Sequence, residues 1–200
     1  MTEPEEHASD DGTSFAVAIL GTTILAVIGL GLAHVAGVPI APQIKLKIDD
    51  VLLGVIATLP LGIFLYWFSQ TSIPSFAEFR ESQIDFFSKI GFQFTPMRIV
   101  AMALAAGVGE EILFRGFLQS WINSFSPVVI AIIVSNIVFG LLHMRTVLYA
   151  VIAGLVGAYL GVVFAVTDNL LTPMVTHFAY DLLALEYTRN AIAARGNSNL

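Results

Sequence analysis

Six apolar runs, at positions 15–34, 51–68, 99–118, 128–142, 147–166 and 170–185, take up more than half of this 200-residue chain. About 20 apolar residues in a helix cross the hydrocarbon core of a bilayer. A helix also satisfies its own backbone polar groups, as lipid requires. Composition supports the same solvent: 12% of residues are charged, about half of what a soluble domain carries. The expected fold is all-α, a polytopic transmembrane bundle of about six spans. The absence of cysteine excludes a disulfide scaffold, an iron–sulfur site and thiolate-bound zinc. A net charge of -6 without a basic stripe leaves no footprint for nucleic acid. Membrane lipids are the first partner to expect.

The segments divide unevenly. Residues 1–14 hold five acids and no Lys or Arg, which reads as a disordered acidic tail; an acidic start before a span-length run does not make a signal peptide. Residues 15–68 hold two spans that stand apart from the rest, and 188–200 form a C-terminal tail. In the connection 69–98, Phe76, Phe79, Ile84, Phe86, Phe87 and Ile90 recur at near-helical spacing opposite Glu78, Arg80, Glu81, Asp85 and Lys89. That pattern predicts an amphipathic helix lying in the interface. The last four spans, within 99–187, are joined by short connections and are expected to pack as antiparallel neighbours in one bundle. Gly154, Gly157 and Gly161 give the fifth span a small-residue face for close helix approach, and Trp67 and Trp121 fall near span ends. Lys and Arg divide six against two between alternate sides. The sequence therefore predicts a multi-pass protein of the cell (inner) membrane with both termini cytoplasmic. Arg145 falls on the cytoplasmic side in this count. His7 in the tail and His34 at a span end are expected to be solvated or interfacial.

The spans are interrupted by Glu110, Glu111, Arg115, His143, His177 and Asp181. Each acid or Arg near a helix centre costs about 2.5–3.5 kcal/mol on insertion scales, so together they cost on the order of 10 kcal/mol before pairing. Glu111 and Arg115, four apart, form a helical ion pair. Glu110 points about 100° away without that partner, as suits a general base in a poorly hydrated pocket. His177 and Asp181 share a face, and Asn136, Phe139 and His143 share another, with Asn136 a supporting candidate. Four readings follow: structural pairing between helices; a proton or ion path, as in transporters; metal-assisted hydrolysis with Glu110, His143 and His177 around zinc or another divalent ion; and metal-free hydrolysis by Glu110 and His143, with His177 and Asp181 steadying the oxyanion. No HExxH is present to favour the zinc reading. One difficulty is geometric. Glu110 lies about 17 Å along its helix from Ile99, whereas His143 ends its own run, so the two meet only if the span limits differ from these.

Glu110-Glu111-Ile112-Leu113-Phe114-Arg115 fits EExxxR, Phe139 to His143 fits FxxxH, and His177 to Asp181 fits Hxxx(D/N). In this order, across 99–185, the chain resembles the CPBP or Abi family, which takes in CAAX prenyl proteases and bacteriocin-processing or immunity proteins. The resemblance implies an intramembrane endopeptidase whose cavity opens to the cytosol and whose substrate is a membrane-associated protein or peptide. It implies Glu110 as the water-activating base with His143 as partner, Glu111 and Arg115 as the supporting pair, and His177 with Asp181 as the oxyanion-stabilising pair. The family carries both metalloprotease and glutamate-dependent descriptions. Asp181 departs from the Asn of the prenyl-processing branch; an ionised Asp donates no hydrogen bond, so its role is open among protonated donor, His177 orienter and metal ligand. A non-catalytic immunity or scaffold protein is the main alternative, and a transporter the next.

Overall fold

Prolines and capping hydroxyls mark where several helices begin. Pro74 and Pro96 occupy first-turn positions, where a missing N–H costs nothing. Thr95 and Thr146 accept the backbone N–H groups of Arg98 and Tyr149, as N-caps do. The computed structural model describes residues 3–198. It holds α1 (Glu3–Ala36), a 3-10 turn (Ala41–Gln43), α2 (Ile48–Gln70), α3 (Pro74–Ser88) and α4 (Pro96–Glu111). α4 continues through a π-helical segment (Ile112–Gln119) into α5 (Ser120–Asn123); α6 (Val128–Leu142), α7 (Val147–Thr167) and α8 (Leu171–Ser198) follow. Among the described residues there is no strand, and the all-α bundle is as expected.

The exterior is largely apolar, and a set of polar side chains is buried beside the hydrophobic core. Glu111, Arg115, Gln119, Ser135, Asn136, Asn169, Thr172, Thr176 and His177 are buried, while Val17, Leu20, Val27, Leu59, Ile63, Ile137, Leu155 and Val166 are exposed. By length and composition, 11–36, α2 and α7 suffice to cross a membrane; α6 is apolar but shorter. The α4–π–α5 run is central: α1 and α8 pack along α4, α1 and α6 on the π segment, α7 on α6, and α2 on α8. Glycines permit the tightest approaches. A Cβ on Gly54 would stand 2.8 Å from the Thr172 carbonyl oxygen, and one on Gly107 2.9 Å from the Phe178 nitrogen.

Three expectations about local structure need correcting or refining. Residues 1–2 of the acidic tail lie outside the described residues, and 3–14 are helical, α1 beginning at Glu3. Asp11 accepts the Gln93 N–H at 2.8 Å and pairs with Arg98, and Phe15 packs edge-on against Phe92, so this end is docked on the α3–α4 connection. The tail 188–200 is likewise an extension of α8 as far as Ser198. The helix expected within 69–98 is α3, with Phe79 and Ile84 buried, but Arg80 does not face away. It turns inward and donates to the Phe68 and Thr71 carbonyls at the end of α2 (2.9 and 3.0 Å).

Candidate functional site

The helix lengths resolve the depth problem. α6 has 15 residues, about 22 Å, short of the roughly 30 Å hydrocarbon core. At its C-terminal end Leu141, Leu142 and Met144 are exposed, while His143 alone turns to the cavity it lines. The α4–π–α5 run and α6 are antiparallel across the turn at 124–127, so residues equidistant from that turn lie level. Arg115 meets Asn136 in this register (3.0 Å), and Glu110 falls level with His143. Glu110 Oε2 stands 4.0 Å from His143 Nε2 and 4.0 Å from His177 Nε2. Three helix segments thus bring one carboxylate and two imidazoles together.

Each ring is held in a single sense by its other nitrogen. His143 Nδ1–H donates to the Phe139 carbonyl at 2.8 Å, and its ring stacks on Phe139 (4.4 Å). This gives FxxxH its meaning: the aromatic supports the ring, and the carbonyl fixes the tautomer. His177 Nδ1–H donates to Glu111 Oε1 at 2.8 Å. The second nitrogen, Nε2, faces Glu110 and lies 3.5 Å from Asp181 Oδ2. Orientation of His177 therefore belongs to Glu111, and Asp181 approaches the Nε2 edge of the ring.

Behind them lies a buried polar scaffold. Glu111 and Arg115 are both 0% exposed and joined at 2.8 Å, as the spacing predicts. Arg115 also donates to the Gly157 carbonyl (2.6 Å) and lies 5.0 Å over the Phe139 ring. Gln119, one turn on, donates to the Gly161 carbonyl (3.0 Å). Gly157 and Gly161 thus do more than let helices approach: with no side chains they expose carbonyls to Arg115 and Gln119. A Cβ on Gly157 would stand 2.5 Å from Asn136 Oδ1, and one on Gly161 2.7 Å from Gln119 Oε1. The π segment Ile112–Gln119 begins directly after Glu111 and contains Arg115, so EExxxR runs across its start. Such wide turns occur frequently at functional sites, and nothing in the residue pattern announces this one.

Glu110, His143, His177 and Asp181 line a cavity of roughly 320 Å³ whose walls include Phe64, Phe68, Phe79, Phe87, Tyr149 and Tyr180; Glu111 and Arg115 do not reach it. Sequence reading missed Gln119, Tyr149 and Tyr180. Tyr149 meets His143 edge-on at 5.8 Å, and Tyr180 lies between the two members of Hxxx(D/N), the one signal that pointed to it. Glu110, His143 and His177 are donor types that zinc takes. On a tetrahedral zinc, however, donors at 2.0–2.1 Å lie about 3.4 Å apart, against 4.0 Å from Glu110 to each imidazole. Among the described residues, no group of three or more His, Asp or Glu side chains is arranged to hold a metal ion. As placed, the three residues do not fit the ion.

Residues 92–183 match the family model of the type II CAAX prenyl endopeptidases, Rce1-like. This stretch is similar to an Rce1-like domain. It bears out the CPBP resemblance, covers a little under half the chain, and contains all six interrupting residues. Together with the apolar helices, the Rce1-like match supports an integral membrane protein and a membrane endopeptidase in general. α1, α2 and α3 lie outside the matched stretch, although all three contribute to the cavity wall. No curated protein and no solved structure is significantly similar to the chain.

Proposed function

We propose that the chain is an intramembrane endopeptidase that hydrolyses a peptide bond of a membrane-associated protein or peptide with water activated by Glu110. The observation that carries this reading is the convergence of Glu110 Oε2 on the Nε2 atoms of His143 and His177, 4.0 Å from each, on the wall of an aromatic cavity. A water hydrogen-bonded at about 2.8 Å to Glu110 and to either imidazole bridges that separation without strain.

In this scheme Glu110 takes one proton from the water, and the hydroxide oxygen bonds to the carbonyl carbon of the scissile peptide. His143 orients the water through Nε2. His177, flanked by Glu111 and Asp181, carries a proton on Nε2 and donates it as a hydrogen bond to the oxyanion. Collapse of the tetrahedral intermediate breaks the C–N bond, and Glu110 returns its proton to the leaving nitrogen, leaving an acid and an amine. Asp181 balances the charge on His177. Glu111 and Arg115 hold His177 from behind and touch no reacting atom. Both termini, and the end of the bundle built from α3 and the later part of α8, face the cytoplasm in this reading.

Cleavage of a membrane-anchored peptide by purified protein in lipid nanodiscs tests it. Glu110→Gln and His143→Ala are expected to keep the wild-type melting profile, His177→Ala to melt lower because buried Glu111 loses a donor, and all three to lose about 10²–10⁴ in kcat, whereas Asp181→Asn loses less. Wild-type turnover in all three would remove the peptidase reading. Absence of cleavage by the wild-type protein, with stable binding of a peptide toxin or partner, would favour the immunity or scaffold alternative, and Glu110-dependent ion flux in liposomes would favour a transporter.

A further inference from the structure

A second cavity, of roughly 290 Å³, lies where the α1–α2, α5–α6 and α7–α8 connections meet, at the end of the bundle away from α3. Gln43, Gln119, Ser120, Phe164, Ala165 and Asp168 are on its wall, and no Lys, Arg or His lines it. The connections around it are tied to one another: the Leu170 N–H donates to the Gln43 carbonyl (2.7 Å), and the Asn169 amide bonds both the N–H and the carbonyl of Lys45 (2.9 and 2.7 Å). Both glutamines of the wall spend their nitrogens on backbone carbonyls. Gln43 Nε2 donates to Pro39 and Gly116 (2.9 and 3.1 Å), and Gln119 Nε2 to Gly161. Their oxygens are left over. Gln119 Oε1 is buried and has no hydrogen-bond partner among the described residues. Gln43 Oε1 has the Ser120 hydroxyl at 3.3 Å, but the single hydrogen of that hydroxyl has the Arg115 carbonyl as a closer acceptor, at 2.9 Å. Asp168 adds a carboxylate. Lys45, which does not line the cavity, takes Oδ2 at 2.8 Å and leaves Oδ1.

We infer that this second cavity is a binding site for a primary ammonium group on a short carbon stem, carried by an ethanolamine phospholipid headgroup or by a small soluble amine. The inference is independent of the peptidase reading. An ammonium has three donors and no acceptor, and the wall offers a carboxylate oxygen and two amide oxygens that are short of donors. Acceptors buried without a donor are costly, and a bound ammonium supplies what they lack. An anionic ligand finds the reverse, a carboxylate and no lining cation. A bare metal ion fits less well, because calcium gathers six to eight oxygens at 2.3–2.6 Å and magnesium a near-octahedral set at 2.0–2.1 Å. The cavity instead has room for carbon, and Phe164 and Ala165 give the stem an apolar surface. A trimethylammonium keeps the charge but has no N–H to donate, so the site distinguishes ethanolamine from choline.

The test uses the full chain in nanodiscs and has a lipid arm and a soluble arm. In the first, native mass spectrometry of protein released from equal mixtures of phosphatidylethanolamine and phosphatidylcholine measures which lipid is retained. In the second, ethanolamine or choline is titrated against protein in phosphatidylcholine nanodiscs, and the melting temperature is followed. Wild-type protein is expected to retain phosphatidylethanolamine about tenfold over phosphatidylcholine, or to be stabilised by ethanolamine at about tenfold lower concentration than by choline, the size of one hydrogen bond to a charged group. The lipid preference alone assigns the site to a headgroup, and the ethanolamine effect to a soluble amine; each supports the inference. Asp168→Asn, which removes the carboxylate, and Ala165→Trp, which fills the cavity and leaves its polar groups in place, are expected to bring either ratio close to one. Asp49→Asn, an acid in the first turn of α2 that does not line the cavity, should leave it unchanged. Wild-type ratios near one in both arms would overturn the inference, as would a preference that survives Asp168→Asn and Ala165→Trp together. Stabilisation by sodium or potassium chloride that needs Asp168 and that ethanolamine does not exceed would assign the cavity to a bare cation and overturn it too.

Discussion

Replacing Arg115 by Met removes the guanidinium while keeping much of its apolar stem. Glu111 is 0% exposed, and its Oε1 accepts from both Arg115 and His177 at 2.8 Å, while Oε2 is buried without a partner. Without Arg115 the carboxylate retains only the imidazole, and breaking one side of a buried ion pair costs about 3–5 kcal/mol. Arg115→Lys keeps a cation for Glu111 but gives up the bonds to Asn136 and the Gly157 carbonyl, a loss of roughly 1.5–3 kcal/mol at the strength of charged donors. At about 2–4 °C per kcal/mol for a chain of this length, Met is expected to lower the melting temperature in detergent by roughly 6–20 °C, and Lys by about half as much. The double variant Glu111→Gln with Arg115→Met removes both charges together and is expected to melt above the single Arg115→Met variant. Equal melting of the Met and Lys variants, or strictly additive losses in the double variant, would refute the claim that the pair is charge-coupled.

Gly157→Ala is expected to destabilise by about 1–3 kcal/mol through overpacking against Asn136 and Arg115 and to reduce cleavage, whereas Gly21→Ala, which meets nothing within 4 Å, leaves both unchanged; thermal melts and turnover compare them. From the 4.0 Å spacings, purified active protein is expected to contain well under one equivalent of zinc by elemental analysis and to withstand chelators; stoichiometric zinc lost together with activity would overturn this. In intact cells, cysteine at Lys89 is expected to be protected from an impermeant thiol reagent and cysteine at Ser124, in the turn between α5 and α6, to be labelled; the opposite pattern would invert the topology.

Much of the candidate site was legible because burying an ionisable group in an apolar helix is expensive, so its presence there is informative. Glu110, Glu111, Arg115, His143, His177 and Asp181 stood out on that ground alone, and the four-residue spacing of Glu111 and Arg115 was enough to pair them. The role of Glu111 toward His177 was not legible, since it depends on a contact 66 residues away in the chain that places Asp181 on the other edge of the ring. Gly157 and Gly161 read as generic small residues because nothing local says whose side chain will use their carbonyls. Arg80 looked like part of the solvated face of α3, and only packing against α2 and α8 turned it inward.

The sequence by itself determined the apolar exterior, the helical class and the ionisable side chains of the candidate site. Each follows from local energetics: hydropathy over a span length, the cost of a charge in lipid, and helical spacing. The depth at which the groups meet, the nitrogen each histidine presents, the π turn inside EExxxR and the aromatic cavity beside Glu110 were decided by tertiary structure. Those properties depend on how far α6 extends and which helices face each other, and they arise from contacts between residues far apart in the chain.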